Sequence, residues 1–409
     1  MMTQSSVPSP PRVGLATAAL ALGTFVIGMT EFVTMGLLPE IGDAVGTTPA
    51  ETGRIIATYA VGVVLGAPLI VGVATHLPRR ALAVAMVLAL GVGNLLTAMA
   101  TSYEALHVTR FLAGLPHAVY FGTAQVLASS LVPAVRQGRA VAMVALGLTV
   151  SGVTGVPLAT WLGQTTNWRV AFVLIFAVSL VAAVLILVFV PPVPGDRSLN
   201  PRSEWSALRR PQVVFGALGA LLTASGIFAM YSYVSPLVTD AAGMPRSVVP
   251  VAMLLWGLGG VIGGLLAGRI IDAGLIRAVL GGNLVMVVLL IAVSLAVSVP
   301  ALLLLAIFLV GLAGPPASLG FNVRIMREAG RAQLLGAALT SAAFNASNGL
   351  GALVGSWTVL SGLGYGSTGA VGAVITTTGL IVFGLGLLVA RRTGRREAPV
   401  GELLSTEGP

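Results

Sequence analysis

Cysteine is absent from the 409 residues, and so is lysine, since all 22 basic residues are arginine. The first absence excludes disulfides and thiolate chemistry. The second removes the P-loop lysine, and with it ATP hydrolysis through a Walker A element. No HExxH or GxSxG is present, and the three histidines, His76, His107 and His117, are not spaced as a metal site. Charge is scarce as well: charged residues make up 9% of the chain, against roughly 25% in soluble domains. What remains is apolar, with 56% hydrophobic residues and a mean hydropathy of +0.99, the composition of an integral membrane protein.

About twelve apolar runs are long enough to span a bilayer, which takes about 20 residues each. They fall at roughly 14–39, 53–75, 81–100, 106–131, 140–163, 168–190, 212–239, 248–272, 277–297, 300–322, 333–359 and 369–390. The first is too long for a signal-peptide core and lacks a small-residue cleavage site, so it is expected to be an uncleaved span. The net charge of +9 would suit a nucleic-acid partner, but its placement argues against one. Only Arg54, Arg110, Arg169 and Arg246 fall outside the segments that share one side of the spans. The positive-inside rule therefore predicts that both termini and the 191–211 loop are cytoplasmic, in the inner (plasma) membrane.

The loop at 191–211 divides six runs from six. "PEIGDAVG" at 39–46 realigns with "PLVTDAAG" at 236–243, and at the same spacing "FLAGL" at 111–115 meets "FLVGL" at 308–312. Two six-span halves share one orientation, so the repeat is parallel, with a ligand site expected at midplane between them. The expected division is a bundle over 1–190, a cytoplasmic linker over 191–211, and a bundle over 212–409 with a tail from about 391.

The "TEF" and "GLLPEI" of span 1, "RFLAGLPHAVYFG" of span 4 and "FNASNGLGALVG" of span 11 carry a resemblance to a known family. The chain resembles the major facilitator superfamily over roughly 13–390. Within it, the chain is similar to twelve-helix drug:proton antiporters, in the branch of chloramphenicol exporters and arabinose/sugar-efflux permeases. The resemblance implies an all-α membrane protein with twelve transmembrane helices in two six-helix parallel pseudo-repeats around a central cavity. It also implies a small-molecule substrate, protons as the coupled ion, a monomer, and neither metal nor organic cofactor. The family's loop between spans 2 and 3 is matched by Arg79 and Arg80, but Thr75 stands where its aspartate belongs. Asp272 keeps that acid in the second half. In the family this element latches helix ends; simple topology-setting charge explains the arginines equally well. The glycine-proline bend of span 5 is matched by Gly152 and Pro157, with Val156 replacing a glycine.

Glu31 lies inside the first apolar run, where an acidic residue costs roughly 2.5–3.5 kcal/mol. Its helical neighbours include Thr24, Gly28, Thr34 and Met35, a small and polar face expected to point at a cavity rather than lipid. Arg110 either faces that cavity or snorkels to the nearby outer end of span 4. His117 lies nearly two turns on along the same stripe, as a cavity residue or as an interhelical hydrogen bond, and Gly114 between them lets another backbone approach. By the resemblance, Glu31 takes protons, Arg110 tunes it and His117 is a further candidate. Desolvation favours the neutral carboxyl and a guanidinium the ionised one, so wetting and drying such a site loads and releases a proton. Candidate cavity residues are Thr34, Met35, Phe121, Phe228, Tyr231, Asn345 and Asn348, while Tyr233 suits an interfacial aromatic belt. The first functional expectation is a proton-coupled exporter of small amphipathic drugs, because the spans carry few amides or acids. A sugar or metabolite exporter of the same fold is the alternative, a non-transporting membrane sensor a remote one, and an enzyme is not expected.

Overall fold

The computed structural model describes residues 10–74, 77–194, 210–329 and 333–392. Thr75, His76, most of the linker and the end of the C-terminal tail lie outside the described residues. Twelve crossings follow one another: α1 (Pro10–Gly36), α2 (Arg54–Ala74), α3 (Arg79–Met99), α4 (Tyr103–Gly114 and His117–Ser130), α5 (Gln137–Val150 and Val156–Thr165), α6 (Trp168–Phe189), α7 (Pro211–Tyr231), α8 (Val248–Asp272), α9 (Leu275–Leu295), α10 (Pro300–Ala329), α11 (Gln333–Thr358) and α12 (Thr368–Arg392). Among the described residues ten helices are long and apolar enough to cross a membrane. The other two crossings depart for physical reasons. Pro116 interrupts α4, and α11 carries Ser341, Asn345, Ser347 and Asn348.

The chain turns between α1 and α2 through two short helices, Leu38–Val45 and Pro49–Thr52. Gly46 ends the first of these at φ 74°, a left-handed position that glycine occupies without a Cβ clash. Thr48 and Glu51 then close a reciprocal capping box on the second. In α5 the two segments are joined by a π-helical stretch, Ser151–Gly155, just ahead of Pro157. The wide turn absorbs the proline's missing donor at mid-span.

The sequence repeat is a repeat of packing. Within the first half α1 packs on α5 and α6, α2 on α4, and α3 on α6; within the second α7 packs on α11 and α12, α8 on α10, and α9 on α12. The register is the same to the residue. A Cβ on Gly62 or Gly66 would meet the carbonyls of Phe111 and Leu115, and one on Gly259 or Gly263 would meet those of Phe308 and Leu312. Likewise Gly114 abuts the Tyr59 carbonyl, and Gly311 that of Trp256. Small residues let helix backbones touch where lipid removes the hydrophobic drive for association. Across the halves α2 meets α11 and α5 meets α8.

Candidate functional site

Both ends of the described chain lie on one face of the bundle, here the terminal face; the opposite one is the far face. Between the halves lies a cavity of about 550 Å³. Its walls come from α1, α4 and α5 on one side and α7, α9, α10 and α11 on the other, mostly from their terminal-face halves. Phe121, Phe321 and Phe344 supply apolar area, Gln125, Asn283, Asn322 and Asn345 supply amides, and Glu31 and His117 stand on the wall. Among the described residues of this lining, Glu31 is the single acidic one.

On the far side the halves are in contact. Tyr233 is fully buried, and its hydroxyl donates to the carbonyl of Ala352 at 2.8 Å and reaches that of Ala50 across the halves at 3.3 Å. Arg54 Nε donates to Ser356 Oγ at 3.2 Å, and Thr160 meets the sulfur of Met253 at 3.5 Å. Arg246 pairs with Glu40 at 3.7 Å and Asp43 at 4.0 Å. Because Arg246 is 59% exposed, each of these pairs is worth about 1 kcal/mol at most. Apolar burial does more, through a cluster that includes Met35, Leu38, Ile56 and Val156 of the first half and Phe228, Tyr231, Val234 and Met253 of the second.

Glu31 sits where the cavity ends and the seal begins. It is 2% exposed, and its Oε1 accepts a 2.8 Å hydrogen bond from Asn348 Nδ2 of α11, in the opposite half. Arg110 is wholly buried rather than snorkelled to an interface. Its Nη2 donates to the Thr30 carbonyl at 2.9 Å, while Nε and Nη1 have no partner. The guanidinium lies 4.4 Å from the centroid of the Tyr59 ring, a cation–π contact. The Tyr59 hydroxyl in turn is 2.8 Å from His117 Nδ1. Thr30 also accepts from Asn94, whose amide projects from α3. A polar chain therefore runs from the cavity wall at His117 through Tyr59 and Arg110 to the residue beside Glu31.

Glu31 and Arg110 form no ion pair among the described residues; Glu31 Oε1 accepts from Asn348 instead. Several candidate positions differ from the sequence expectation. Of the candidate cavity residues, Phe121 and Asn345 line the cavity. Thr34, Met35, Phe228, Tyr231 and Asn348 instead lie buried outside its lining. Tyr231 stacks on Trp256 at 3.9 Å, and Phe228 meets Phe344 edge-on at 5.4 Å. Tyr233 is a sealing residue, not a member of an interfacial belt. The Nδ2 of Asn345 is spent on the Ser341 carbonyl of its own helix at 2.9 Å.

The conformational candidates are placed as follows. Arg80 donates to the carbonyl of Val190 at 3.2 Å, and the Arg79 backbone to that of Val193 at 2.8 Å, so both fasten the end of α6 within their own half. Asp272 ends α8, exposed and without an ion pair among the described residues. Gly152 lies where α5 crosses α8, its carbonyl against Gly257. Pro157 opens the second segment of α5. Sequence reasoning missed Tyr59, Asn94, Gln125, Asn283 and Asn322. Four of these are amides inside apolar runs, and the argument applied to Glu31 would have found them.

A model of the Major Facilitator Superfamily matches residues 20–333. Over 386 residues the chain is 32% identical to the inner membrane transport protein YdhP of Escherichia coli (strain K12), covering 94% of this chain and 97% of that one. It is 31% identical over 384 residues to a chloramphenicol resistance protein of Streptomyces lividans, covering 93% and 95%. Its fold matches the crystal structure of a bacterial homolog to the human lysosomal transporter Spinster, in the inward-facing and unoccupied conformation. The TM-score is 0.71 at 16% identity, over 96% of this chain and 100% of that one.

Proposed function

Because the chain belongs to the major facilitator superfamily, and is a membrane transporter rather than an enzyme, we propose that it is a proton-coupled exporter of small amphipathic molecules, acting as a monomer. The single observation that carries this reading is Glu31, a buried acid at the end of the cavity whose hydrogen bond crosses between the halves. A carboxyl so placed is wet when the cavity opens toward it and dry when the seal closes, so its proton affinity follows the conformation. By the distribution of arginines, the terminal face and the cavity mouth are cytoplasmic. Substrate enters from the cytoplasm, the halves rock about the α2–α11 and α5–α8 contacts, and it leaves at the far face as Glu31 takes a proton.

Three phenylalanines and four amides around about 550 Å³ suit a ligand with an apolar body and a few polar groups. The relative named for chloramphenicol resistance supports such a compound as the first to test. The same four amides favour a second reading, a sugar or metabolite exporter, because the lining is richer in hydrogen-bonding groups than the overall composition implied. The test is accumulation of chloramphenicol in pump-deficient cells. Wild type is expected to lower it, and a protonophore or Glu31→Gln to abolish the effect. No chloramphenicol export, with export of sugars, would select the second reading.

A further inference from the structure

We infer that Asn348 senses the protonation state of Glu31 and converts it into closure of the far face. The inference rests on the reading of Glu31 as the proton carrier. Asn348 Nδ2 donates to Glu31 Oε1, but Asn348 Oδ1 is buried with no partner at all. An ionised carboxylate only accepts, so it satisfies the amide N–H and leaves Oδ1 orphaned. Protonation at Oε2 creates an O–H that donates to Oδ1 while Nδ2 keeps its bond to Oε1. One bond between the halves becomes two, in a cyclic acid–amide pair, and the orphaned buried acceptor is satisfied. Loss of the proton breaks the second bond and restores the orphan.

The position suits that work. Asn348 is 1% exposed, and the next residue, Gly349, packs against Ala57 and Ala60 of α2, the contact by which α11 meets the first half. The protonated state thus favours the far face closed and the ionised state lets it part. Uptake of a proton from outside returns the transporter to the cytoplasm-facing form, and its release inside frees the halves for export. The titratable and charged groups around Glu31 are Tyr59 from α2 and Arg110 and His117 from α4, with Tyr231 of α7 against the neighbouring Phe32. Substitution of Asn348 leaves all of them in place.

The absence of cysteine makes the test direct. Spin labels on Ala44→Cys and Ser298→Cys, exposed far-face positions in opposite halves, report the separation there by pulsed resonance in lipid nanodiscs. In the otherwise native chain the short-distance population is expected to grow as pH falls. Glu31→Gln, whose amide pairs with Asn348 as the neutral acid does, should hold the short distance at every pH. Asn348→Leu and the smaller Asn348→Ala, each checked to elute as a single folded species, should lose the pH response. If Glu31→Gln still responds to pH, the proton reading itself fails and this inference with it. If Glu31→Gln is flat while both Asn348 variants respond as the native chain does, the proton site stands and the role of Asn348 is overturned.

Discussion

Gly53→Ala should unlock the far face. Gly53 lies at the start of α2 with φ −55° and ψ −22°, ordinary helical values that alanine adopts without strain. An added Cβ would run into the hydroxyl and ring of Tyr233, from the opposite half. The ring has little room to retreat, because Gly355 lies against its other edge and the hydroxyl is held by Ala352 and Ala50. Overpacking of this kind costs about 1–3 kcal/mol. The cost falls only on the closed arrangement, since the clash joins residues that separate on opening. The closed-to-open ratio should therefore drop by about 5- to 150-fold. Leu38 is fully buried in the same seal, so Leu38→Cys provides a reporter in a chain without other thiols. Its reaction with an impermeant maleimide applied at the far face should accelerate by that factor when Gly53→Ala is added. An unchanged rate would refute the claim that Tyr233 against Gly53 holds the face shut.

Two further outcomes follow from the packing and the charges. Gly114→Val should lower the thermal midpoint of the purified protein in detergent. A side chain there drives into the Tyr59 carbonyl and the backbone of Val63, separating α2 from α4, whereas Gly122→Ala, with nothing within 4 Å of its Cβ position, should leave the midpoint nearly unchanged. Glu40, in the short helix beyond α1, has its carboxyl held above the ordinary 4.5, chiefly by burial and against the opposing pull of Arg246. A raised folded-state value means that the folded chain binds more protons than the unfolded one, so stability falls as pH rises above 4.5 through the folded value. Glu40→Gln should thus raise the midpoint at neutral and higher pH and make no difference well below 4.5; a lower midpoint at neutral pH would contradict this sign.

The fold was legible because lipid imposes a simple code. Apolar runs of span length give crossings, and the arginines sort their ends. The glycines at 62, 66 and 114 and their counterparts at 259, 263 and 311 carry the repeat into atomic contacts. Glu31 was legible for the same reason, as the costliest residue in its run. Its partner was not. Asn348 lies 317 residues away, and nothing in either segment encodes which helices of two bundles meet at midplane. Arg110 was ambiguous because distance from a helix end does not say which way a long side chain turns. Its burial is decided by Thr30, Tyr59 and Phe172 on three other helices. The broken α4 was missed in a run apolar enough to conceal Pro116, and Tyr233 was misplaced because its position near a span end fits a belt as well as a seal.

The central claim is that Glu31 carries the proton. The most direct measurement reconstitutes wild type and Glu31→Gln in liposomes with a pH-sensitive dye inside, and imposes a chloramphenicol gradient without a pH gradient. Wild type should move protons against the direction of chloramphenicol flow, while Glu31→Gln, folded and incorporated to the same extent, should move none. Proton movement by Glu31→Gln equal to wild type would contradict the account.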